Sequence, residues 1–115
     1  MITVRKLDEQ PIMETAHNVD ARNLYNTPDA MVTVIRLTPG QSLKRHITPV
    51  DVAFYVLEGV GVVEVGEEKL EVSAHSLVES PKDIRHCWYN ESTENDLAFM
   101  VIKAPRPEKK TTFIS

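Results

Sequence analysis

An all-β domain, a sandwich or barrel of short strands, is what this 115-residue sequence predicts. Three observations carry the prediction. No segment keeps a 3.6-residue apolar period over three turns, so no sizeable helix is expected. Short runs rich in β-branched and aromatic residues recur, among them Met31–Leu37, Val52–Leu57, Val60–Val65 and Leu97–Lys103. Turn chemistry separates them at Thr38-Pro39-Gly40, Gly59, Gly66-Glu67-Glu68 and Pro81, and Pro105 and Pro107 close the last.

Taken in order, Ile2 and Val4 alternate with Thr3 and Arg5, the pattern of a short terminal strand. From Pro11 to Asp29 the chain is dense in Pro, Asn and Asp and reads as loops, with His17 as an exposed loop residue. Met31–Leu37 (MVTVIRL) is a strand. Gln41–Thr48 resumes an extended run in which Lys44, His46 and Thr48 share one face and Arg45 and Ile47 the other. Val52–Leu57 (VAFYVL) reads as a buried strand ending at Gly59. Val60–Val65 and Lys69–Val72 form a hairpin, with Leu70 and Val72 on one face. Glu58, Glu64, Glu67 and Glu68 mark turns and an outer face. Leu77 and Val78 make a short strand before Pro81. In Ile84–Tyr89, His86 and Trp88 face one way, and Arg85, Cys87 and Tyr89 the other. Leu97–Lys103 (LAFMVIK) is the last clear strand. Glu108-Lys109-Lys110 reads as a solvated charge run, and Phe113 and Ile114 as apolar residues that pack on a neighbour.

Composition bounds the function. The length fits one domain, residues 1–115. A hydrophobic content of 42% with 26% charged residues is globular and argues against disorder. The net charge of −4 removes the usual electrostatic case for nucleic acid or an anionic membrane. No apolar run approaches the roughly 20 residues of a membrane span. The opening MITVR lacks the basic and apolar regions of a signal peptide, and the lone Cys87 allows no disulfide within the chain. A cytoplasmic protein is expected.

Two spaced motifs resemble the signatures of the cupin superfamily, G-x5-H-x-H-x3,4-E-x6-G and G-x5-P-x-G-x2-H-x3-N. Gly40, His46, Thr48, Val52 and Gly59 keep the register of the first, at residues 40–59. His75, Pro81, Asp83, His86 and Asn90 keep that of the second, at residues 75–90. The phrase FYVLEG, Phe54–Gly59, also resembles the family's strand and turn. The resemblance implies a double-stranded β-helix, or jelly-roll, barrel. It also implies one metal ion held by His, His and Glu from the first motif and His from the second. This sequence departs at the second His, now Thr48, and at the Glu, now Val52. Two motif glycines are replaced by His75 and Asp83.

His46 and His86 therefore remain as candidate ligands for a divalent metal, Zn, Mn, Fe or Ni, or as relics of a site that holds none. A catalytic metal site usually has three protein ligands. Asp51, one residue before the Glu position, is the candidate third ligand if a bulge after Pro49 turns it inward. Lys44 at the mouth, with Thr48, Phe54 and Trp88, completes the expected pocket. The favoured reading is a small cupin binding a small polar or anionic molecule inside its barrel, through a metal or without one. The rival is a metal-dependent enzyme of the dioxygenase, decarboxylase or sugar isomerase type, and fold alone does not choose between them. A nucleophilic hydrolase is not indicated, since no Ser or Cys sits in a base-adjacent motif. A homodimer is expected because Ile2, Val4, Phe113 and Ile114 are apolar residues in polar termini, and a partner's sheet edge would cover them.

Overall fold

The computed structural model describes residues 1–114. Pairing begins inside the stretch that reads as loop. Asp20–Thr27 forms β1, antiparallel to β2 (Ala30–Leu37) around Pro28-Asp29. The Asp and Asn residues of β1 are poor strand formers, yet β2 offers a ladder from Arg36 opposite Asp20 to Ala30 opposite Thr27. Tertiary pairing overrides their propensity. The remaining strands are β3 (His46–Ile47), β4 (Val52–Glu58), β5 (Val60–Val65), β6 (Glu68–Ser73), β7 (Leu77–Ser80), β8 (His86–Tyr89), β9 (Leu97–Lys103) and β10 (Thr112–Phe113).

They form two five-stranded sheets, in the orders β1-β2-β9-β4-β7 and β10-β3-β8-β5-β6, a jelly roll. All pairings are antiparallel. Strand alternation delivers the core: Val52, Phe54 and Val56 from β4 and Leu97, Phe99 and Val101 from β9 point between the sheets, where Trp88 of β8 meets them. Trp88 stacks on Phe99 with ring centroids 4.7 Å apart, and Phe54 stands edge-on to Trp88 at 5.6 Å. Among the described residues, no helix is long and apolar enough to cross a membrane.

Several expectations need correction. Ile2 and Val4 form no strand; they are exposed, and only a short 3-10 turn at Leu7–Glu9 follows. Their alternation finds no neighbouring edge to pair with. The C-terminal apolar residues fold back on their own barrel: Phe113 pairs with His46, and Ile114 donates its N–H to the Arg45 carbonyl at 3.0 Å. Leu70 is exposed although Val72 is buried, because β6 is a sheet edge. Glu64 is no exposed marker. It is 3% exposed and held by Arg45 at 2.8 Å and by the Tyr89 hydroxyl at 3.2 Å.

The motif turns explain the glycines. Gly59 has φ +85°, and a Cβ there would collide with the Asp96 carbonyl. His75 and Asp83, standing where the pattern has glycine, keep positive φ at +69° and +65°. The left-handed turns thus survive without the residue that favours them. His75 is exposed, and its ring makes one 3.3 Å contact to the Tyr55 hydroxyl. His75→Gly is therefore expected to stabilise the protein by about 1 kcal/mol, read as a rise in denaturant midpoint at unchanged slope. A lowered midpoint would contradict strain at this turn.

Candidate functional site

The two motif histidines meet. His46 of β3 is the register partner of His86 on β8, and both rings turn inward, with centroids 4.5 Å apart. The edge-to-face angle is 78°. A third ring joins them: His17, in the loop before β1, lies 4.8 Å from His46. Phe113 of β10 closes over the pair, 5.2 Å from His17 and 5.8 Å from His46.

Backbone hydrogen bonds hold two of the rings in a defined state. The Lys44 backbone N–H donates to His17 Nδ1 at 2.9 Å. His46 Nδ1 lies 2.7 Å from the Lys44 carbonyl, which accepts only, so Nδ1 is the donor. One residue's backbone groups therefore fix two tautomers. His86 lies between hydroxyls, with Ser80 Oγ 2.7 Å from Nδ1 and Thr48 Oγ1 3.3 Å from Nε2. Phe54 packs edge-on against it at 5.1 Å.

The three rings border a cavity of ≈ 190 Å³ between the sheets. Its other walls are mostly apolar, from Met13, Met31, Ile35, Phe54, Val101 and Phe113, with Thr15, Thr33, Thr111 and Lys103 as polar members. Larger depressions, such as one of ≈ 600 Å³ along Ile12, Arg36 and Gln41, lie open on the surface and gather no histidine.

Lys103 is the cation of this cavity. It continues the inward face of β9 after Phe99 and Val101. Among the described residues no carboxylate pairs with it. Burial alone lowers its pKa from the ordinary lysine value. Burial, first, and then the charges of His46, Lys44 and Lys103 push His17 down to about 4. Burial, then His46, Lys103 and His17, push His86 down to about 3. His46 is lowered by burial and by Lys103, against an opposing effect of its bond to the Lys44 carbonyl. All three imidazoles are neutral at pH 7.

The other sequence candidates divide. Phe54 lines the cavity, and Thr48 stands behind His86. Trp88 is fully buried in the core and does not border the cavity. The Lys44 side chain is exposed; its peptide groups, not its ammonium, serve the site. Asp51 is not brought to the histidines. It is exposed, and its carboxylate accepts the Lys82 N–H at 2.9 Å, as alternation from the inward Val52 requires. His17 and Lys103 are the site residues that sequence reading missed.

The donor set does not fit the metal that the motifs imply. His46 Nε2 keeps a free lone pair. His17 in its neutral form carries its proton on Nε2, since Nδ1 accepts from Lys44. Both nitrogens of His86 are engaged by hydroxyls. Among the described residues, no three His, Cys, Asp or Glu side chains are arranged to hold a metal ion. One ready donor falls short of the three that catalytic sites offer, and the Lys103 charge opposes a cation. The places of the missing ligands are filled by the Thr48 hydroxyl and by Val52, which packs in the core.

The profile of the cupin domain matches residues 33–103, more than half of the sequence. The chain belongs to the cupin family. Solved cupin-like structures share the architecture. The TT1209 protein from Thermus thermophilus is 26% identical, with a TM-score of 0.77 over 92% of this chain and 100% of that one. The polyketide cyclase RemF from Streptomyces resistomycificus is 15% identical, with a TM-score of 0.85 over 100% of this chain and 87% of RemF. A predicted oxalate decarboxylase from Thermotoga maritima is 20% identical, with a TM-score of 0.79 over 89% and 99% of the two chains. No curated protein matched the sequence. A cyclase and a predicted decarboxylase on one backbone leave the activity of this cupin to its own side chains.

Proposed function

We propose that this cupin binds a small organic anion in its barrel cavity, with the protein's own groups rather than a metal ion as the recognition elements. One observation carries the reading: Lys103, largely removed from solvent, lines the cavity without a carboxylate partner among the described residues. A buried cation is normally paired, as Glu64 is paired on the outer side of the second sheet. An anionic ligand supplies the missing charge, and the Phe54, Phe113 and Val101 walls take its apolar body. At ≈ 190 Å³ the cavity is smaller than the roughly 300–1,000 Å³ of drug-sized sites. Calorimetric titration of chelator-treated protein with three- to eight-carbon carboxylates tests the reading. Binding that added Zn, Mn, Fe or Ni leaves unchanged is expected. Binding that appears only with metal would instead favour the metal-dependent enzyme.

A homodimer is part of the same proposal. Ile2 and Val4 stay 89% and 75% exposed, a state that apolar residues leave when a partner surface is offered. Sedimentation at micromolar concentration is expected to give a dimer, and removal of residues 1–5 a monomer. A full-length monomer would refute the dimer.

A further inference from the structure

We infer that the anion is a hydroxycarboxylate, and that the paired rings of His17 and His46 select it by its hydroxyl; the inference rests on the anion-binding reading above. A backbone N–H only donates and a backbone carbonyl only accepts. The Lys44 N–H therefore makes His17 Nδ1 an acceptor, and the Lys44 carbonyl makes His46 Nδ1 a donor. Each neutral imidazole carries one proton. His17 is left with an N–H at Nε2, and His46 with a lone pair at Nε2. Neither Nε2 has a hydrogen-bond partner among the described residues, and both rings line the cavity.

One fixed donor and one fixed acceptor thus stand on rings 4.8 Å apart, in a cavity whose charge comes from Lys103. A hydroxyl answers both, because it donates and accepts at once. A methylene in its place answers neither ring atom. A ketone satisfies the His17 donor alone. An ammonium satisfies the His46 acceptor alone and meets the Lys103 charge. The order of preference is hydroxy acid, then keto acid, then plain acid, with amino acids excluded.

The test titrates metal-stripped protein with matched four- to six-carbon acids, with and without a hydroxyl at carbon 2 or 3. The hydroxy acids are expected to bind at least tenfold more tightly. In His17→Phe, which keeps the wall and removes the donor, the ratio of hydroxy-acid to plain-acid affinity is expected to fall toward one. Nitrogen NMR of the wild-type rings gives a readout that needs no variant. His17 Nε2 is expected protonated and His46 Nε2 unprotonated, each shifting with hydroxy acids but not with plain acids. Equal affinity within each pair, the opposite tautomers, or a His17→Phe variant that keeps the tenfold preference would overturn this inference and leave anion binding standing. Absence of binding by every acid would overturn the anion-binding reading and this inference with it.

Discussion

Lys103→Met is expected to abolish the binding of small carboxylates while making the protein harder to unfold. The two effects have one origin. The half-buried Lys103 lines the cavity with Val101, Phe54 and the imidazoles and pairs with no carboxylate among the described residues. Replacing an unpaired, half-buried charge by an apolar side chain of similar length removes its desolvation cost. A ligand carboxylate deprived of its buried partner loses about 2–5 kcal/mol, at least thirtyfold in affinity. The pH dependence separates this account from a general packing gain. The folded-state pKa of Lys103 lies below its unfolded value, so the native penalty is full below the folded pKa. It fades as pH rises through the folded pKa toward the unfolded value of about 10.4. The advantage of the Met variant is therefore expected to be largest near pH 7 and to shrink by pH 10. Denaturant unfolding at both pH values, with carboxylate titration at pH 7, measures it. Unchanged affinity in Lys103→Met would remove the lysine from the site, and a less stable variant would show that it has a partner.

The same lysine shows how much of the site could be read in advance. In Leu97–Lys103 the period-2 alternation places Lys103 on the face of Leu97, Phe99 and Val101, which the apolar pattern marks as inward. The strand's own alternation carries that signal, and no motif points to it. The motif spacing placed His46 and His86 on strands that the structure pairs residue to residue. Alternation likewise put Asp51 outside, where the structure has it, and the bulge needed to bring it in does not form. His17 had no such signal. It reaches the site through a loop whose path depends on non-local bonds, Met13 N–H to the Ala21 carbonyl and Lys44 N–H to the ring itself. β1 was hidden for a related reason, since its Asn and Asp residues are strand only because β2 lies alongside. Periodicity reports what a segment prefers alone, and these two segments take their form from the partners they bond to.

Acid is expected to destabilise this protein from pH 6.5 downward, before its carboxylates titrate, and His86→Gln is expected to flatten that slope. The direction follows from the folded pKa values. His86 is held near 3 and His17 near 4, both below the unfolded value of 6.5. As pH falls through 6.5 the unfolded chain takes up protons that the native barrel refuses, so stability is lost until the folded pKa values are reached. The groups facing His86 reinforce the refusal: His46, His17 and Lys103 add positive or potentially positive charge, and the Phe54 ring adds none of the opposite sign. Between pH 6.5 and 4.5 His86 accounts for about 2–3 kcal/mol of loss at about 1.4 kcal/mol per unit of pKa displacement, and the Arg-paired Glu58 and Glu64, whose folded pKa values are lowered, add to it only near the bottom of that range. His17 contributes less, since its ring is partly open to solvent. Gln at position 86 keeps a donor and an acceptor for Ser80 and Thr48 but does not titrate. At pH 7 it lacks the ring's packing and is expected to be less stable by about 1–2 kcal/mol. As pH falls toward 4.5 the two stability curves are expected to converge. Urea unfolding across this range gives both curves. A wild-type stability that stays level from pH 6.5 to 4.5 would mean that the three rings accept protons in the native cavity, and parallel curves would mean that His86 is not the group that refuses them.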